Sequence, residues 1–174
     1  MTYRLKAGLA FALSVYAAIA VAGPYQAGVH QWNVKDGKLT LMSGVMTDNA
    51  AQSYLNYTFY LVNAHDKTQY QVPVVDDKDS SKFRLTITES STGDDANEDA
   101  TVVAKQDTWL LIGEKETSVD AAAPGPVNVR VYKLVSGNDG DWAYSFQLTK
   151  TVRYAKAKRY TVEKALAENA NGLQ

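Results

Sequence analysis

The sequence predicts a mainly β chain, an antiparallel β-sandwich or open barrel of about nine strands with a short C-terminal α-helix. Three observations carry this. Apolar and polar residues alternate with period two in segment after segment between residues 29 and 152. Turn signals separate those segments, among them Asp36-Gly37, His65-Asp66-Lys67 and Asn138-Asp139-Gly140-Asp141. Only the tail changes period, where Val162, Ala165 and Leu166 share one helical face.

Val29 to Val34 reads as the first strand. Asp36-Gly37 follows as a hairpin turn whose two positions tolerate positive φ. Lys38 to Met46 forms the second strand, and Thr47 to Ser53 a loop or one helical turn. Tyr54 to Asn63 is dense in aromatic and β-branched residues and makes the clearest strand. Gln69 to Val75 returns as one strand. Pro73 places it at an edge or ends it there, because proline cannot donate to a ladder. Asp76 to Lys82 is a charged loop. Phe83, Leu85 and Ile87 alternate with polar partners as a half-buried strand. Ser90 to Asp99 is polar and acidic and reads as an exposed loop.

Thr101 to Ala104 and Thr108 to Ile112 are two further strands. Asp120 to Pro126, with two prolines around Gly125, interrupts regular structure. Val127, Val129 and Val131 start another strand, and Trp142 to Val152 pairs back on it. Tyr154 to Tyr160 is basic and extends that strand or bends away. Thr161 caps a helix over Val162 to Asn169, Glu163 suits its first turn, and Asn171-Gly172 stops it.

Composition narrows the function. Hydrophobic residues make up 45% and charged residues 21% of 174, a foldable balance. A net charge of −1 provides no basic field for nucleic acid. With no Cys, disulfides, thiolate zinc sites and Cys nucleophiles are excluded.

Residues 1–22 read as a cleaved signal peptide, and residues 23–174 as a single β-rich domain. Arg4 and Lys6 precede an uncharged run from Ala7 to Val21, and Ala20-Val21-Ala22 fits the small-x-small cleavage pattern. The run falls short of the roughly 20 residues that span a bilayer. The mature chain is therefore expected to lack a membrane span and to reside in the periplasm or beyond.

Candidate chemistry is sparse. Asp95, Asn97 and Asp99 carry oxygen ligands at alternate positions, as the start of a calcium loop does. Ala100 stands where such a loop needs glycine, and Gln106 where it needs a bidentate Glu. A solvated acidic loop is the simpler reading, so no cofactor is assigned, a divalent cation there being the one alternative. Asp76, Asp77 and Asp79 form a second acidic group. His30 and His65 are the only two His, too few for zinc unless carboxylates complete the set. Trp32, Trp142 and Tyr144 are candidate binding rings for a sugar or peptide, although rings also build β-cores. Lys150, Arg153, Lys156, Lys158 and Arg159 form a basic run, read as a solvated strand end. No nucleophile elbow, P-loop, dinucleotide fingerprint or His-Glu-x-x-His motif occurs, so no catalytic residue is assigned. A cell-wall hydrolase using a carboxylate pair stays open, with acids such as Asp107, Glu114 and Glu116 as its candidates.

Val131-Tyr132-Lys133-Leu134, the run Phe146 to Arg153, Lys158-Arg159-Tyr160 and Val162-Glu163-Lys164-Ala165 together resemble the close of the CarG-like carbapenem intrinsic-resistance proteins. Tyr57 to Leu61 and Phe83 to Ile87 are similar to strands of that family. The resemblance spans about residues 54–168 and carries no functional position across. It implies a small periplasmic protein that protects the cell without hydrolysing the antibiotic. The implied partner is a small molecule or a periplasmic protein, and a homodimer is compatible with it. A general exported carbohydrate- or peptide-binding module is the alternative.

Overall fold

The computed structural model describes residues 25–47, 53–76, 82–92, 95–116, 125–137, 142–155 and 160–173. The signal segment 1–22, Asp77 and Asp79, the turn 138–141 and the basic residues Lys156, Lys158 and Arg159 lie outside them. So does most of the segment from Asp120 to Pro126.

Eleven strands and one helix follow in order: β1 (Gly28–Val34), β2 (Gly37–Thr47), β3 (Ser53–Asn63), β4 (Gln69–Gln71), β5 (Val74–Val75), β6 (Phe83–Arg84), β7 (Ile87–Thr92), β8 (Asp95–Ala104), β9 (Thr108–Lys115), β10 (Val127–Ser136), β11 (Tyr144–Tyr154) and α1 (Val162–Asn171). They form one open sheet in the order β1-β2-β3-β7-β8-β9-β10-β11-β5-β6, with β4 beside β3. Among the described residues no helix is long and apolar enough to cross a membrane.

The sheet curls so that β2 and β3 face β8 to β11. Leu39, Leu41, Tyr57, Phe59 and Leu61 from one side meet Val102, Leu110, Ile112, Tyr132 and Phe146 from the other. Each fully buried large apolar side chain contributes roughly 1.5–3 kcal/mol. The second face of β9 and β10 is covered by α1, where Leu111, Val127, Val129 and Val131 meet Val162, Ala165 and Leu166. The unbroken apolar run Leu110-Leu111-Ile112 reflects this burial on both faces. Gly113 allows the helix to approach, since a Cβ there would stand 2.7 Å from Val162 Cγ1. Thr161 Oγ1 caps α1 by accepting the N–H of Lys164 at 3.3 Å.

Several boundaries differ from expectation. Ser90 to Asp99 is no exposed loop, because its described residues belong to β7 and β8 and Asp99 is 1% exposed. Its polar composition hid two antiparallel paired strands. Gln69 to Val75 is not one strand. The Val72 N–H bonds Phe59 on β3, while the Pro73 carbonyl accepts Phe146 N–H on β11. Proline, lacking an N–H, marks the point where the chain crosses between ladders. The Phe83–Ile87 strand breaks at Leu85, with Phe83 and Leu85 each 40% exposed and only Ile87 buried. The first hairpin turns on Lys35-Asp36, since Val34 pairs with Gly37. Gly37 alone there takes positive φ, and a Cβ would strike the Val62 carbonyl oxygen.

Candidate functional site

A polar floor continues from the apolar core on the inner face of β8 to β11. Glu98 pairs with Glu114, Glu114 with Asn128, and Asn128 with Arg153, one row across four strands. Like charges directly opposite repel, so each carboxylate of Glu98 and Glu114 needs a counter-charge. Arg130 reaches Glu114 at 2.6 Å, and Arg153 reaches Glu116 at 2.7 Å. Arg84 arrives from β6 on the far side, with Nη1 3.4 Å from Glu98 Oε1 and Nη2 3.3 Å from the Tyr132 hydroxyl. Its Nη2 also donates to Asp76 at 3.1 Å. Its Nε lies 3.1 Å from the other Asp76 oxygen, off the line of a hydrogen bond, so that contact is an ion contact only. Tyr132 donates to the same Asp76 carboxylate. Burial holds Glu98 above the usual carboxylate range against the pull of Arg84, and Glu114 adds to the rise.

A second feature is a cleft of about 250 Å³ between the β1–β2 turn, the β8–β9 turn and the end of β10. Val34, Leu134 and Val135 give it apolar surface, and Lys35, Asp36, Asp107 and Lys133 line it with both signs of charge. Lys133 Nζ is fixed by Asp107 at 2.7 Å and lies over the Trp109 ring.

The candidates from the sequence scatter. Asp95, Asn97 and Asp99 lie along β8. A strand spaces alternate residues nearly 7 Å apart instead of wrapping them round an ion, so the calcium-loop geometry is absent. Among the described residues no group of three or more His, Asp or Glu is arranged to hold a metal. Trp32 packs on Tyr25, Tyr144 on Tyr70 and Trp142 on Phe83, three separate pairs. Tyr144 is buried in the core. Asp107 sits at one end of β9 in its ion pair with Lys133, while Glu114 and Glu116 lie at the other end, each with an arginine. His30 contacts the Gln26 carbonyl at 2.8 Å.

Sequence reasoning missed Asp76, Arg84, Glu98 and Tyr132 as a cluster. Local spacing holds no signal for it, because Tyr132 is 48 positions from Arg84. It missed Asp99 as a buried acid too. That carboxyl is pushed up to about 7 by burial, with Glu89 and Glu163 adding to the rise against the bond from Ala100 N–H. Ala96 and Ala100, small apolar residues set among the acids, were the one available hint.

No family model matches the chain, and no curated protein matches it. Among solved structures it is similar to the crystal structure of CarG, with a TM-score of 0.61 and 22% identity over 86% of this chain and 92% of that one. The shared path therefore covers nearly all of both chains, and this chain has a CarG-like fold.

Proposed function

We propose that this is an exported, non-enzymatic protein that protects the cell against a carbapenem by binding or shielding. The observation that carries the reading is the CarG-like fold over nearly the whole chain. It joins the resemblance to carbapenem intrinsic-resistance proteins and the export pattern in residues 1–22. The polar floor agrees with a binding role, since its acids are tied to arginines and stand as a fixed pattern of charge. The partner is a small molecule or a periplasmic protein.

Incubating purified protein with a carbapenem tests the non-enzymatic part. The drug's absorbance should persist over hours at equimolar protein. Turnover of several equivalents would overthrow it.

The cleft favours a second reading, a general exported module binding carbohydrate or peptide. It sets three apolar side chains beside charges of both signs in one small cleft, polar contacts that a sugar or peptide could use. That reading predicts saturable binding of a sugar or peptide with no change in antibiotic susceptibility.

A further inference from the structure

Three carboxyls influence one another where β7 leaves β8. The β7–β8 ladder ends with Ser90 opposite Glu98, and the residue before it, Glu89, pairs with Leu55 of β3. Asp99 pairs with Gly113 of β9, the position on which Val162 and Leu166 of α1 rest. The next helix residue, Glu163, accepts the Ala96 N–H at 3.2 Å. So β7, β8 and α1 each carry one carboxyl near this joint. From β3, the Tyr57 hydroxyl stands 3.4 Å from Asp99 Oδ1, and Tyr25 completes the surround before β1. Neighbouring carboxylates repel, and burial strengthens the repulsion.

We propose that this joint is a proton-operated latch for α1: the helix seats on β8 and β9 while the buried Asp99 holds a proton, and loosens as the medium goes from acidic to neutral. With the helix seated, Asp99 ionises near 7, whereas a solvated Asp ionises near 3.8. Seating therefore takes up a proton. It is fully favoured below that lower value and weakens progressively up to the higher one, beyond which it changes no further. Burial and Glu163 shift Glu89 in the same direction. The latch is independent of the protective role.

Amide hydrogen exchange of α1 in the purified protein, corrected for intrinsic rates, tests it. Between about pH 5 and about pH 7.5 the opening of α1 should rise tenfold or more. Asp99→Asn keeps an oxygen for the Ala100 N–H and the Tyr57 hydroxyl but cannot titrate, so its α1 opening should lose most of that rise, Glu89 keeping a smaller part. Should that variant fail to fold, Glu89→Gln carries the test and should lower the slope. A flat profile in the natural protein overturns the latch, and so does an unchanged slope in the variant.

Discussion

The hydroxyl of Tyr25 accepts the backbone N–H of Val102 at 2.8 Å, 77 positions along the chain. Two residues before Val102, Asp99 Oδ1 accepts the N–H of Ala100 at 2.7 Å. Both N–H groups lie on the edge of β8 that β7 leaves uncovered after Glu98. Side-chain oxygens thus stand where a neighbouring strand's carbonyls would be, and the edge is closed to further pairing. Tyr25→Phe removes one of these acceptors and keeps the ring contacts with Trp32 and Tyr57. It should lower stability by about 1–3 kcal/mol, the cost of a buried unpaired N–H. Urea denaturation reads this directly.

Gly113 fixes how close α1 lies to the sheet. Gly113→Ala would place a methyl against Val162 Cγ1 and the Leu166 side chain. Val162 is β-branched and starts the helix, so it yields poorly. A loss of about 1–3 kcal/mol is expected, as for other overpacked cores. Faster amide exchange confined to α1 would locate the damage.

Asp99 gives global stability a pH dependence of known sign. Its folded value lies near 7, above the 3.8 of an exposed Asp. The unfolded chain therefore releases this proton first, and the group's contribution declines as pH rises between those two values. Asp99→Asn should be the more stable form above neutrality, by an amount on the order of 2–3 kcal/mol, and should lose that advantage near pH 4. Chemical denaturation at both pH values compares the two proteins.

Arg84 ties β6 to the main sheet through Asp76, Glu98 and Tyr132. Arg84→Met leaves Glu98 opposite Glu114 without its nearest counter-charge. The side chain is 30% exposed, so solvent moderates the loss to about 1–2 kcal/mol at neutral pH. The deficit should shrink as acid protonates Glu98. A deficit that stays constant with pH would assign the loss to packing instead.

The fold class, the helix and most long strands were legible because alternation and capping are local signals. Tyr54 to Asn63 and the Thr161 cap show this. The polar strand pair through Asp99 was not legible, since burial there is set by β3 and α1, which are remote in sequence. Pro73 signalled an interruption, but which ladder each side joined depended on Phe59 and Phe146. The arginine-linked floor was hidden for a related reason. Strand register brings Glu98, Glu114 and Asn128 together across turns that spacing alone does not resolve. The β11 bulge beside Val131 was equally silent. It turns Phe146 and Leu148 to the core, and Tyr154 toward α1.

The most direct test of the protective role is carbapenem susceptibility of a sensitive Gram-negative host. One strain carries the full chain and a second carries the chain lacking residues 1–22. Only the full chain should raise the inhibitory concentration, with the drug recovered intact from the culture. Unchanged susceptibility in both strains, with the full chain shown to be exported and folded, would contradict that role.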